Sequence, residues 1–270
     1  MLGVASTAFA VEFSWDFGGT PDENWMNAAN WNATGYPDTL PTMTGPIAGL
    51  AKLYPSVNAN ILINSDGPEA FQVKVGGQAG GASWSTITMT GGSLNSGEWF
   101  MVGPDSSTSG GRSGELLMSG GTINLGLVAP GNGHLFIGHT GSLTTGFVNM
   151  SGGTINVTGM FGIGWGVGTS GIVNLSGGTI NTPAIGRNAL ATLTVLNITG
   201  SGKVVVNGDW IANAQTWNDS GWLVSGGEQF LDVGIAIYDA GTDKTTLMIP
   251  EPATMCILAI GAFGLIRRKR

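Results

Sequence analysis

Through the middle of the chain, apolar and polar residues alternate with a period of two, halt at a pair of glycines, and resume. Residues 149–156 read Asn-Met-Ser-Gly-Gly-Thr-Ile-Asn, and residues 174–181 repeat them with Leu in place of Met. A copy without the leading Asn occupies 118–124, and looser copies sit at 89–95, 198–202 and 224–227. The anchor residues Met89, Met118, Met150, Leu175, Ile198 and Val224 lie 29, 32, 25, 23 and 26 residues apart. Self-similarity at that period marks a solenoid, in which each repeat buries its apolar face only against its neighbours.

Period two assigns the faces. If Val148 and Met150 point inward, then Ile87 and Met89, Leu116 and Met118, Val173 and Leu175, and Leu196 and Ile198 fall in the same two interior columns. Thr88, Leu117, Asn149, Asn174 and Asn197 then point outward. After the glycine pair, Ile123, Ile155 and Ile180 return inward, flanked by Thr122, Thr154 and Thr179 and by Asn124, Asn156 and Asn181. Stacked coils align these amides in columns that hydrogen-bond along the axis. A third short strand closes each repeat at Val102-Gly103, Ile137-Gly138, Ile163-Gly164 and Ile185-Gly186, and glycine at the corners admits positive φ. The expected fold is all-β: a parallel, right-handed β-helix or solenoid of about six coils, with an N-terminal cap and a short C-terminal transmembrane helix.

The chain divides accordingly. Residues 1–10 are apolar and end in the small-x-small triplet Ala8-Phe9-Ala10, which reads as the remnant of a signal peptide; an ordinary apolar strand is the alternative. Residues 11–80 hold Trp15, Trp25, Trp31 and Tyr36 among Asn, Asp, Pro and Gly, followed by first strands at 59–63 and 70–75. An aromatic flap ahead of the first coil is most simply a cap, and a sugar-stacking platform on Trp25 and Trp31 is the sharper reading. Residues 81–248 carry the repeats and a C-terminal cap, with a strand-like run at 230–238. Insertions at 104–113 and 125–133 are expected as surface loops, the natural carriers of a binding role together with Trp99.

Composition narrows the chemistry. Glycine supplies 47 of 270 residues and charged residues only 10%, which favours turns and strands over surface helices. Between residues 11 and 248 there are 16 acidic and 6 basic side chains, so nucleic acid is not an expected partner of the body. The lone Cys256 excludes an internal disulfide and a cysteine zinc site. From residue 86 to 208 the charged residues are Glu98, Asp105, Arg112, Glu115, Arg187 and Lys203, from which no paired-carboxylate site is built. His134 and His139 read as structural, and Asp239 to Asp243 as an Asx-type turn rather than a cation loop. The repeats put Asn where a calcium-binding nonapeptide needs Asp, no phosphate loop occurs, and threonines are too few for an ice-binding array. No metal, cofactor or catalytic residue is expected. Outward Phe147, Ile172 and Val195 form an apolar column suited to packing against the N-terminal region or another molecule.

After Leu247 the sequence changes character. Pro250-Glu251-Pro252 precedes an apolar run that includes Met255, Ile257, Leu258, Ile260, Phe263, Leu265 and Ile266, and Arg267-Arg268-Lys269-Arg270 follows. Physically, proline stops the preceding strand, the run enters a bilayer, and four cations hold its end on the cytoplasmic side. Residues 249–270 thus resemble the PEP-CTERM sorting signal of exported bacterial proteins, a tail also catalogued as an ice-binding protein C-terminal domain. The Trp/Asn-rich opening and Gly-Gly-Thr-Ile repeats look like the passenger regions of bacterial surface and autotransporter-type β-helix proteins. The tail resemblance implies processing near Pro250-Glu251-Pro252 by an exosortase-like enzyme in the bacterial membrane. It also implies release or attachment at the cell surface, often beside exopolysaccharide. The expected function is that of an exported, non-enzymatic surface or matrix protein. A carbohydrate-binding adhesin using Trp25, Trp31 or Trp99 is the alternative, and a carbohydrate-active enzyme near Asp232, Asp239 and Asp243 the remote one.

Overall fold

The computed structural model describes residues 12–14, 24–31, 50–53, 58–77, 83–104 and 110–250. Residues 1–10, most of the N-terminal segment and the tail beyond Pro250 lie outside them. The described chain is mostly β and winds into a solenoid of about six turns, each with three strand faces. The first face stacks Ala59–Ile63, Trp84–Met89, Ser113–Met118, residues 145–150, residues 170–175 and Leu193–Ile198 in parallel register. The second stacks Asp66–Ala70, Ser93–Ser96, Thr122–Leu125, residues 154–156, residues 179–182 and Lys203–Asn207. The third runs from Glu12–Ser14 and Leu50–Leu53 through Gln72–Val75, Phe100–Val102, Leu135–Ile137 and Met160–Ile163 to Ala184–Gly186. The coil that starts at Ala59 has no Gly-Gly phrase.

The interior columns follow the alternation. Ile87, Leu116, Val148, Val173 and Leu196 are fully buried, as are Leu94, Ile123, Ile155 and Ile180 on the second face and Phe100, Leu135 and Phe161 on the third. Each such side chain contributes ~1.5 to 3 kcal/mol relative to exposure. The two glycines of the phrase serve different needs. The second, as Gly121, Gly153 and Gly178, has φ of 82°, 86° and 81°, and so takes the left-handed conformation. The first takes no such φ. A Cβ on Gly152 or Gly177 would lie 2.4 or 2.2 Å from the carbonyl oxygen of Ser119 or Ser151 in the coil before, so close stacking excludes any side chain there.

Two amide ladders run along the outside. On the second face Asn181, Asn156, Asn124 and Asn95 each donate Nδ2–H to the residue one coil nearer the N-terminus, at 2.9, 2.9, 3.0 and 3.2 Å, and the last acceptor is Glu69 Oε1. On the first face Asn197 donates to Asn174, Asn174 to Asn149, and Asn149 to Glu115 Oε1, at 3.1, 2.8 and 2.8 Å. Both ladders therefore end on a carboxylate, which only accepts. The backbone N–H of Gly226 donates to Asn197 Oδ1 at 2.9 Å and sets the first-face ladder's direction from its other end. Glu115→Lys places a donor against a donor and should lower stability by ~1.5 to 3 kcal/mol, whereas Glu115→Gln keeps an acceptor and should cost ~1 kcal/mol or less. Denaturant titration measures both; a Glu115→Lys protein as stable as the parent would show that ladder direction carries no energy.

The caps are built from tryptophan. The Trp25 N–H donates to the Leu62 carbonyl at 3.1 Å, and the Trp31 indole N–H donates to the Trp25 carbonyl at 2.9 Å. Their rings meet edge to face at 5.0 Å. At the other end Trp210, Trp217 and Trp222 pack in sequence at 5.4 and 4.5 Å around the helix Ile211–Asp219, which the strand-rich composition did not anticipate. Trp210, Ala214 and Trp217 have the i, i+4, i+7 spacing that marks it. Nor is 230–238 one strand: Phe230–Val233 makes a helical turn that buries Phe230, and Ile235–Asp239 then pairs antiparallel with Lys244–Met248, itself antiparallel to Lys203–Asn207. The antiparallel hairpin ends the parallel stacking of the second face.

Candidate functional site

The proposed stacking platform at the N-terminus is not available for that role. Trp25 is 0% and Trp31 4% exposed, because both are spent covering the open end of the first coil. Trp99 differs: it is half-buried and points outward beside the third face. Its carbonyl accepts the Val73 N–H at 2.9 Å, while the His134 carbonyl accepts the Phe100 N–H at 2.9 Å, so the two residues sit one above the other in neighbouring coils.

Around them the coils assemble an aromatic surface. The Trp99 ring lies 5.7 Å from Phe136, 5.8 Å from His134 and 5.7 Å from His139; Phe136 lies 4.6 Å from His139 and 5.5 Å from Trp165. Phe136 is the floor, 4% exposed, and Trp99, His134, His139 and Trp165 are half-buried around it. Gly162 continues the outward column of Phe136; a Cβ there would lie 2.6 Å from the Phe136 ring and 3.3 Å from that of Trp165. The insertion at 125–133 borders this surface, since Val128 and Ala129 donate their N–H groups to the Gly97 carbonyl and the segment runs directly into His134. Glu98, adjacent to Trp99, accepts a hydrogen bond from Gln72 Nε2 at 2.9 Å. Sequence spacing concealed the grouping, because its members come from three coils.

His134 has a defined protonation. Its Nδ1 accepts the Met160 N–H at 2.9 Å, which leaves the single proton of the neutral ring on Nε2. Burial lowers its pKa from the ordinary 6.5, against the opposing pull of the Glu98 charge. The unfolded chain therefore binds more protons just below pH 6.5 than the folded one, and stability falls as the pH drops from 6.5 toward the lowered value. The melting temperature should decline in that window, and His134→Gln should remove that part of the decline.

The first face carries a concavity. A cleft of about 270 Å³ is lined by Thr88, Leu117, Asn149 and Asn174 together with Ser119 and Ser151, without a charged group. The apolar column lies on the same face: Phe147 pairs with Ile172 and Ile172 with Val195, and Trp84 covers Phe147 at 5.3 Å between ring centroids.

Of the acidic residues near the C-terminal cap, Asp239 and Asp243 belong to one hydrogen-bonded turn. Asp239 accepts the Gly241 N–H and the Thr242 hydroxyl, both at 2.9 Å, and Asp243 accepts the Tyr238 hydroxyl at 2.9 Å. The backbone N–H of Gly241 lowers the Asp239 pKa, and the bond to Asp243 raises that of Tyr238. This is the hydrogen-bonding pattern of an Asx turn. Asp232 lies apart, in the short helix before Gly234. Among the described residues no group of three or more His, Cys, Asp or Glu is placed to hold a metal ion.

The last strand, Lys244–Met248, delivers the chain to Ile249, which packs against the core, and to Pro250. Residues 249–270 match the family model of the PEP-CTERM protein-sorting motif. The chain carries a PEP-CTERM sorting motif behind a β-solenoid passenger. The motif implies export, anchoring in the membrane through the tail, and recognition by an exosortase. Glu251, Pro252, the apolar run and the four terminal cations lie outside the described residues, and no helix among those described is long and apolar enough to cross a membrane. No curated protein and no solved structure matches the chain.

Proposed function

We propose that the PEP-CTERM passenger is a non-enzymatic structural component of the cell surface or extracellular matrix, a stiff β-helical element delivered by its tail. The observation that carries this reading is the use made of the carboxylates on the outward faces of the coils. Glu69 and Glu115 each terminate an amide ladder, and Glu98 is bonded to Gln72. Hydrolysis or elimination on a sugar needs two acid–base groups facing one cleft, and the first-face cleft is lined by amides, hydroxyls and aliphatic groups. A repeat whose neighbours supply each other's core and outer hydrogen bonds is instead suited to persistence. The test is incubation of the purified protein with a panel of acidic and neutral polysaccharides, read by release of new reducing ends or unsaturated products. No turnover is expected; turnover of any member would overturn the structural reading.

A further inference from the structure

We propose that the aromatic surface on the third face, centred on Trp99 and Phe136, is a binding site for an extended, uncharged polysaccharide lying along the solenoid axis. A pyranose ring presents an apolar C–H face and an edge of hydroxyls, so its receptor needs an aromatic face beside fixed donors and acceptors. Both are present. Trp99 and Trp165 are half-buried beside the Phe136 floor, with ring centroids 5.7 and 5.5 Å from it. The three rings come from successive coils, whose spacing of ~4.8 Å is comparable to one sugar unit.

The polar partners have assigned directions. The Met160 N–H occupies His134 Nδ1, so Nε2–H is the donor left at the edge of the Trp99 ring, 5.8 Å between centroids. Glu98 gives one carboxylate oxygen to Gln72 and keeps the other as an acceptor for a hydroxyl. Held by backbone bonds from Val73 and Phe100, Trp99 and His134 need little ordering when a ligand arrives. The Glu98 carboxylate, next to Trp99 in the chain and held by Gln72, repels a polyanion, which argues for a neutral chain. The insertion at 125–133, tied to Gly97 by Val128 and Ala129, leads into His134 and borders the surface.

The experiment uses the full chain, kept soluble in a detergent that carries no sugar headgroup. Tryptophan emission is followed during titration with a β-1,4-linked and a β-1,3-linked glucose hexasaccharide, with polygalacturonate as the charged control. At least one neutral probe should give a saturable change. Trp99→Ala and, separately, Glu98→Ala should each weaken that binding at least tenfold with an unchanged far-ultraviolet spectrum, while Leu117→Ala on the first face should leave it unaltered. Two variants guard against loss of fold in one of them. No saturable change with either neutral probe, binding of polygalacturonate alone, or parental affinity in both folded variants would overturn the proposal. Self-association through the patch is a further overturning outcome, seen as a Trp99-dependent dimer in light scattering without sugar. None of these results depends on whether the protein turns a polysaccharide over, so this site and the structural reading fail separately.

Discussion

Met150→Asp should abolish cooperative folding. Met150 is 1% exposed at the centre of the first-face interior column, paired in register with Met118 on one side and Leu175 on the other. Its terminal methyl lies where a Cβ on Gly178 would come within 2.7 Å, so it fills the space under the next coil's corner, as Met118 does under Gly153. Aspartate removes ~1.5 to 3 kcal/mol of apolar burial and adds several kcal/mol for a carboxylate without a partner in a dry interior. Against a total stability of ~5 to 15 kcal/mol, that is enough to unfold the domain. Asn149→Asp, one residue earlier and outward, loses the hydrogen bond to Glu115 and sets two carboxylates side by side on the half-buried outer face, a cost of ~1 to 2 kcal/mol. Thermal melts followed by circular dichroism separate the two. Equal melting would contradict the inward placement of Met150 and the register of the column.

The second large effect concerns the PEP-CTERM tail. Changing Arg267, Arg268, Lys269 and Arg270 to Ser or Gln should release unprocessed protein, and changing Pro250, Glu251 and Pro252 to Ala should leave it in the membrane and uncut. The apolar run of 12 residues from Met255 to Ile266 would span about 18 Å as a helix, short of a hydrocarbon core of ~30 Å. Such a segment is retained only if its end is refused passage, and each cation at mid-membrane costs ~2.5 to 3.5 kcal/mol even on the insertion scale. The change at Pro250, Glu251 and Pro252 tests the separate step, recognition of the tail by the processing enzyme. Cell fractionation followed by intact-mass measurement distinguishes the arms. A protein without its cations that is still retained and cut at the parental site would remove the electrostatic basis of anchoring.

The repeat determined more than the strand count. Alternation placed Met150, Leu175 and Ile198 inside and Asn149, Asn174 and Asn197 outside, and the observed pairing has that register. A column of identical amides is legible because equal residues at equal places in successive coils must stack. The tail was legible for a different reason: its three parts act in order along the chain and need no folding partner to be recognised.

What the linear order left open are the contacts between unlike residues in different coils. Glu115 heads the first-face ladder although it precedes Asn149 by 34 residues and stands two places earlier in its own strand than Leu117, the register partner of Asn149. Trp99, His134, Phe136, His139 and Trp165 become one surface only once variable insertions set how three coils align. The fates of the tryptophans likewise depend on the ends of the stack. An exposed apolar end must be covered, so Trp25 and Trp31 are consumed by it, while Trp99, on a finished side wall, keeps part of its face in solvent. By itself, then, the sequence determined period, strand faces, corners and address, all of which follow from neighbours within one repeat or one tail. Tertiary stacking alone decided which aromatic rings meet and which carboxylates end the ladders, because both depend on loop lengths and coil alignment that no single repeat contains.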